Sequence, residues 1–314
     1  MAESWCPRKT LIIKLYMKAK LVFTALLILS SSMKVMSQDL ESLLESETEA
    51  RTEVTTGTFK ATRLLNGHSI ERMQKGQLDF RIDHRFGELS DTYNAFGLDQ
   101  SSVHFSLDYG ITDWVMVGIG RSALQKTVDG FVKFSPIRQS KGKVNMPVSV
   151  SVFLGADMKG TKPITALDSV FSNNLSYSSQ LLIARKFSEN LSLQLMPTYV
   201  HRNLVAASDP NNVFALGMGG RYKFQKRVSL NVEYYHVFNK LVSAKTYDPL
   251  AIGFDIETGG HVFQLFFTNA IWNTERGFIT DTQGNWGNGD VHFGFKISRV
   301  FPLIKRKDVG AKTE

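Results

Sequence analysis

Twelve stretches of this chain place apolar residues at every second position, and none sustains the 3.6-residue spacing of a core helix. A two-residue period belongs to strands with one greasy face and one wet face. The stretches cover roughly 77–86, 102–109, 114–121, 128–135, 147–156, 176–187, 191–202, 213–224, 228–238, 250–257, 261–268 and 289–301. Leu78, Phe80 and Ile82 alternate in the first, Val103, Phe105, Leu107 and Tyr109 in the second, and Val291, Phe293, Phe295 and Ile297 in the last.

The segment "GFDIETGGHVFQLFFTNA", Gly253 to Ala270, shows what this pattern builds. Gly259–Gly260 suits a two-residue primed turn, in which both central residues take φ > 0. Folding there pairs Thr258 with His261, Glu257 with Val262, Ile256 with Phe263, Asp255 with Gln264 and Phe254 with Leu265. Directly paired residues share a face. One face then carries Ile252, Phe254, Ile256, Phe263, Leu265 and Phe267; the other carries Asp255, Glu257, Gln264 and Thr268. A three-residue loop at 225–227 likewise pairs Phe224 with Val228, Tyr222 with Leu230 and Met218 with Tyr234 on the greasy side. It puts Lys223 with Ser229, Arg221 with Asn231 and Gly219 with Glu233 on the other.

The first stretch reads Gln77, Asp79, Arg81, Asp83, Arg85 on its polar face, and the last reads His292, Gly294, Lys296, Ser298. Charges of both signs on one side of nearly every strand are too costly for a dry core unless paired. Facing a hydrated barrel interior they cost little, while the apolar face meets lipid. The connections sort by parity in the same sense. Those at 110–113, 188–190, 225–227 and 258–260 are short and run from even to odd strands. Odd-to-even connections at 87–101, 157–175, 203–212, 239–249 and 269–288 are longer, with 122–127 and 136–146 as exceptions to the two classes. Short turns on one side and long loops on the other are the asymmetry of a transmembrane barrel. The fold expected is all-β: an antiparallel transmembrane β-barrel of about 12 strands over 77–301, with a short N-terminal plug or periplasmic segment at 38–76.

Residues 1–37 read as a secretory signal, with Met17 an alternative start. Lys18 and Lys20 precede an apolar run from Leu21 to Leu29, and "VMS" offers a cut after Ser37. The run is short of the ~20 residues of a spanning helix. The chain is formally +8, but this segment holds six basic residues against Glu3, so the exported chain is near +3. The basic character is a targeting feature rather than a nucleic-acid footprint. The only cysteine, Cys6, leaves with it, which removes disulfide and thiol chemistry. Residues 38–76 open acidic, as "QDLESLLESETEARTE", and continue with an alternating "TFKATRL" and a capped-looking "NGHSIE". This segment either tethers in the periplasm or enters the lumen, where Lys60, Arg63, His68 and Glu71 would pair with wall charges. A basic tail occupies 302–314.

The combination of "TFKATRLLNGHSIE", "YGITDWVMVG", "RKFSENLSLQLMPTYVHR" and "DIETGGHVFQLFFTN" resembles a family of uncharacterised membrane-bound β-barrel proteins of Bacteroidota, over about Thr58 to Phe301. The resemblance implies a barrel in the Gram-negative outer membrane and no activity, because the family is one of unknown function. The last strand, closing on Phe301, also resembles the signal read by barrel-assembly machinery, from which it departs in its basic tail.

Candidate lumen residues are Asp79, Arg81, Asp83, Arg85, Arg221, Glu233, Asp255, Glu257, Gln264 and Lys296. Charge lining a pore tunes what passes it, so a narrow channel or uptake barrel for a small polar solute is the leading expectation. A scaffold or receptor barrel, its interior filled by interlocking side chains and its loops presented to a partner, is the alternative. A barrel hydrolase is the third class. It would need a nucleophile beside a base, but His84, His201 and His236 face outward with no serine placed beside them. His104 and Ser106 share a face without an evident acid. Asp255, Glu257 and His261 invite a metal reading that the register opposes, since His261 falls on the other face. No phosphate-binding glycine loop and no zinc-type Cys/His spacing is present, so no cofactor is expected; "GMGG" at 217–220 reads as a thin place in the wall. Tyr109, Trp114, Phe187, Tyr199, Phe238 and Phe301 near strand ends fit interfacial girdles.

Overall fold

The computed structural model describes residues 52–304, so the expected signal segment, the acidic stretch and the end of the basic tail lie outside the described residues. Twelve strands pair antiparallel in one closed ring. They are β2 (Gln77–Glu88), β3 (Ser101–Gly110), β4 (Val115–Ser122), β5 (Val128–Ile137), β7 (Ser149–Met158), β8 (Leu175–Lys186), β9 (Leu191–Arg202), β10 (Asn212–Gln225), β11 (Val228–Val237), β12 (Leu250–Thr258), β13 (His261–Thr268) and β14 (His292–Pro302). Each pairs with its sequence neighbour, and β14 closes on β2. Two short strands form a separate ribbon: β6 (Ser140–Gly142), in the long turn between β5 and β7, pairs with β1 (Thr52–Val54) at the start of the described residues.

The hairpin from β12 to β13 has the expected register, from Thr258–His261 to Phe254–Leu265, with Gly259 and Gly260 at φ +37° and +116°. The β10–β11 pairing agrees from Met218–Tyr234 to Lys223–Ser229 and then departs: Gln225, not Phe224, lies opposite Val228. The loop is two residues long, and Phe224 is the extra residue of a bulge, which twists the strand end without disturbing the faces beyond it.

Burial runs inside-out. Phe105, Ile119 and Leu154 are 50 %, 59 % and 53 % exposed, whereas Arg85 and Lys133 are 0 % exposed. Only a solvent of lipid rewards that exchange: apolar side chains outside, ions inside. No described helix is long and apolar enough to cross a membrane, and the strands make the crossing.

The inner wall is not polar throughout. On β8 to β11 it presents Leu182, Met196, Val200, Val213, Ala215 and Val237, buried in a cluster with Phe59, Leu64 and Ile70 from the N-terminal segment. Phe278 and Ile279 complete the cluster from helix α1 (Glu275–Thr280), in the connection between β13 and β14. Apolar residues stay on a lumen wall when something apolar covers them. The interior is mixed: an oily cluster on β8 to β11 under the two inserted segments, a smaller one of Met116, Phe131 and Phe153 on β4, β5 and β7, and a charged side along β2 and β14.

Candidate functional site

The lumen is filled from both ends. From the turn end, residues 58–70 rise as a hairpin: Leu64 N–H donates to Gly67 O (2.9 Å), Ser69 N–H donates to Thr62 O (3.0 Å), and Arg63 bridges His68. The tip is Asn66–Gly67. Asn-Gly is a hairpin turn signal, but the reading of "NGHSIE" as a capped start passed over it. The Glu233 carboxylate on β11 accepts three backbone N–H groups of this tip, from Leu65 (2.7 Å), Asn66 (2.8 Å) and Gly67 (2.8 Å). A carboxylate receiving several charge-assisted bonds in a dry site is held hard.

Other wall residues grip the insert by its carbonyls. Gln264 donates to Leu64 O (2.6 Å), Gln194 to His68 O (2.8 Å), Arg221 to Gly57 O (3.0 Å), and Lys133 to Ser69 O (3.0 Å) and Glu71 O (2.8 Å). Glu71 in turn accepts from Phe59 N–H (3.2 Å), and Lys60 pairs with Glu257 at the turn-end mouth. Arg63 reaches Asp108 (3.2 Å), and Asp255 accepts from Gln264 (2.8 Å).

From the loop end, α1 dips inward. Its N-cap Thr274 accepts from Gly277 N–H. Arg276 is buried against Asp157 of β7 (2.9 Å) and also pairs with Asp281. Phe278 meets Tyr235 at 5.3 Å between ring centroids. The two inserts touch: His68 Nε2 lies 3.6 Å from a Glu275 carboxylate oxygen. Burial pushes the Glu275 carboxyl up to about 7, opposed by the nearby Arg63 guanidinium.

The charged side is a ladder along β2 and β14. Arg81 donates to Asp79 (2.6 Å) and to Thr62 Oγ1 (2.6 Å); Lys296 lies 3.0 Å from Asp83, and Arg85 lies 3.4 Å from it. Arg85 also donates to Ala270 O (2.8 Å) and to Trp272 O, which fixes the start of the α1 connection. Several buried atoms of this ladder and of the adjoining β3, including Arg81 Nε, Arg85 Nε, Ser106 Oγ and Asp108 Oδ1, make no hydrogen bond among the described residues. Buried polar atoms of that kind are served by water. A cavity of about 20 Å³, bounded by both inserts, is lined by Arg81 and Ser106.

The ten predicted wall residues lie on inner strand faces, as the ladder (Asp79, Arg81, Asp83, Arg85, Lys296), the groups near or on the hairpin (Arg221, Glu233, Asp255, Gln264) and Glu257 at the mouth. Of the four predicted hairpin residues, Lys60 and Arg63 meet wall carboxylates, whereas His68 faces Glu275 of the other insert and Glu71 accepts from the hairpin's own Phe59 N–H, so the expected pairing with wall charges holds for two of the four. Sequence reasoning passed over Lys133 and Asp108, whose inward parity was legible, and Asp157 and Arg276, whose pairing joins a loop to a strand 119 residues away. It also found no acid for His104. Asp129 supplies one at 2.7 Å, reaching past β4 where Gly120 leaves room. Ser106 makes no bond to that histidine, so no nucleophile–base pair forms there. His261 lies opposite Thr258, away from both acids, and among the described residues no His/Cys/Asp/Glu group could hold a metal ion. Outside the wall His84 stacks on Phe295, His201 bonds Asn212 and His236 bonds Asp248.

No curated protein matches the chain. Solved barrels resemble it at low identity. A NanC porin structure is similar at 10 % identity and TM-score 0.45, over 71 % of this chain and 98 % of that one. The KdgM porin is similar at 10 % identity and TM-score 0.41, over 72 % and 98 %. The outer membrane protein Omp33 of Acinetobacter baumannii is similar at 11 % identity and TM-score 0.37, over 72 % and 99 %. At such TM-scores these likenesses carry no weight, and the fold rests on the closed strand pairing. A family model does match, over residues 59–301, from the tip-bearing hairpin to the last strand. The chain belongs to the membrane bound beta barrel domain family (DUF5777).

Proposed function

We propose that this protein is an outer-membrane barrel that passes a small polar solute when its N-terminal hairpin is displaced: a gated channel, closed in the conformation described. The observation that carries the reading is the hairpin's topology. It enters beside Arg221 at Gly57 and leaves at Gly76, whose N–H donates to Gly110 O (2.9 Å), so both ends sit at the turn-end mouth. A segment attached that way withdraws without unthreading. Behind it stands the charged ladder, with polar atoms unspent on protein partners. In this reading the turn end faces the periplasm and the long loops face outward, as in barrels with short periplasmic turns. The role asked of the residues is selection by charge, with no bond made or broken.

The test is single-channel recording in planar bilayers. Full-length protein gives rare, brief openings, and a variant lacking 58–72 gives a steady, larger conductance. Silence from both overturns the proposal. That outcome favours a second reading, a non-conducting scaffold that presents its loops to a partner. The observation behind it is the apolar packing of Leu64, Ile70 and Phe278 on the wall, which holds the inserts by more than hydrogen bonds.

A further inference from the structure

At the loop end, above the buried inserts, the barrel opens into a vestibule of about 430 Å³. Its walls come from four separate connections, from Gly87 and Glu88 of β2 and from His292 of β14. Among the described residues no lysine or arginine lines it. Two of its three carboxylates are already engaged: Asp91 accepts from the Asn94 amide (2.6 Å), and Asp281 is held by Arg276 and Arg202. The third, Glu88, stands opposite His292 in the β2–β14 register.

What remains is a set of amides. Gln100 and Gln283 line the space as exposed side chains, and Gln125 Oε1 is buried without a partner among the described residues. Gln125 is held there at φ +53°, in the left-handed region that a side chain disfavours. Trp272 lines the same space, its indole N–H donating to Asp281 O (3.2 Å) and Arg276 lying 5.0 Å over its ring.

We infer that this vestibule binds a neutral saccharide of one or two rings. Amides both donate and accept, as hydroxyl groups do, whereas a lining of fixed charge would select an ion. An aromatic ring among convergent polar groups suits the alternating apolar and hydroxylated faces of a sugar, and the volume lies within the usual range of small-molecule sites. Glu88 and the absence of basic residues disfavour an acidic sugar. Trp272, Asp281 and Gln283 flank α1, so an occupant rests directly on the loop-end insert. The site would serve the proposed gated passage as its entrance, and it deepens that reading.

The experiment is isothermal titration of the full-length protein in detergent with glucose, galactose, mannose, maltose and cellobiose, and with glucuronate and spermidine as anionic and cationic probes. At least one neutral sugar binds with a Kd on the order of 1 mM or tighter, and the Q100A/Q283A double variant weakens it at least about tenfold. The double variant keeps the heat-dependent gel shift of a folded barrel. The inference is overturned if no neutral sugar binds, if binding is the same in the folded double variant, or if glucuronate or spermidine binds more tightly. Calorimetry needs no ion flow, so silence in the bilayer recording leaves this outcome readable by itself.

Discussion

Gly67 has no side chain, and the grip on the hairpin depends on that. A Cβ there would fall on the Tyr235 hydroxyl and within 3.3 Å of both Glu233 Oε1 and Phe278. Substitution with valine pushes the tip away from Glu233 and leaves a buried carboxylate without its three N–H donors. Each such loss costs about 1–3 kcal/mol, more for a charged group. The Gly67→Val variant is expected to expose 58–70 to protease from the turn end while the barrel keeps its heat-dependent gel shift. Protection equal to the parent protein would show that the apolar contacts suffice alone. Glu233 itself was placed on the inner face by parity, yet its partners were not legible, because a backbone amide leaves no mark in a sequence.

Between elements, the contact that matters is the one joining the two inserts. Glu275 on α1 faces His68 on the hairpin at 3.6 Å. Burial raises the Glu275 carboxyl to about 7. Burial, with Arg63 and Lys133 nearby, keeps the His68 imidazole well below its ordinary value. The signs oppose. A raised carboxyl favours the docked state most below its free value near 4.5, and that contribution is lost as pH rises through about 7. A depressed histidine favours docking above its free value and loses that contribution as pH falls. Comparing Glu275→Gln with the parent isolates the first: the two dock alike near pH 4, and the glutamine form docks more firmly above pH 7, by on the order of 3 kcal/mol. Hydrogen exchange of 58–70 across that range measures it. An identical pH dependence in both proteins would remove Glu275 from the coupling.

For the whole molecule, lipid is the solvent that sorts the strand faces. Leu195, midway along β9, is 47 % exposed, whereas Gln194 beside it is 2 % exposed. Arginine at Leu195 is expected to destabilise the barrel in vesicles by about 2–4 kcal/mol if the site lies at the bilayer midplane. Urea titration of the refolded protein measures this. A negligible effect would mean that protein or water, not lipid, covers that wall. The same logic explains the long list of buried ions: paired charges such as Asp83 with Lys296 hold position across the β2–β14 seam where the ring closes.

The alternation of the twelve stretches, the parity of turns and loops, and the Gly259–Gly260 hairpin determined the strands, their register and which face meets lipid. These are local properties, repeated every two residues, and they lie within the reach of a strand and its neighbour. The bulge at Phe224 departs from the reading because a loop of three and a loop of two plus a bulge use the same residues. What fills the ring was decided only in three dimensions. Leu182, Met196, Val200 and Val213 read as ordinary alternation or as noise until Leu64 and Phe278 are seen against them. Asp157 and Arg276 meet only because one loop folds back into the barrel. A contact between a wall and an insert has no period and no fixed spacing, so the chain's order does not record it.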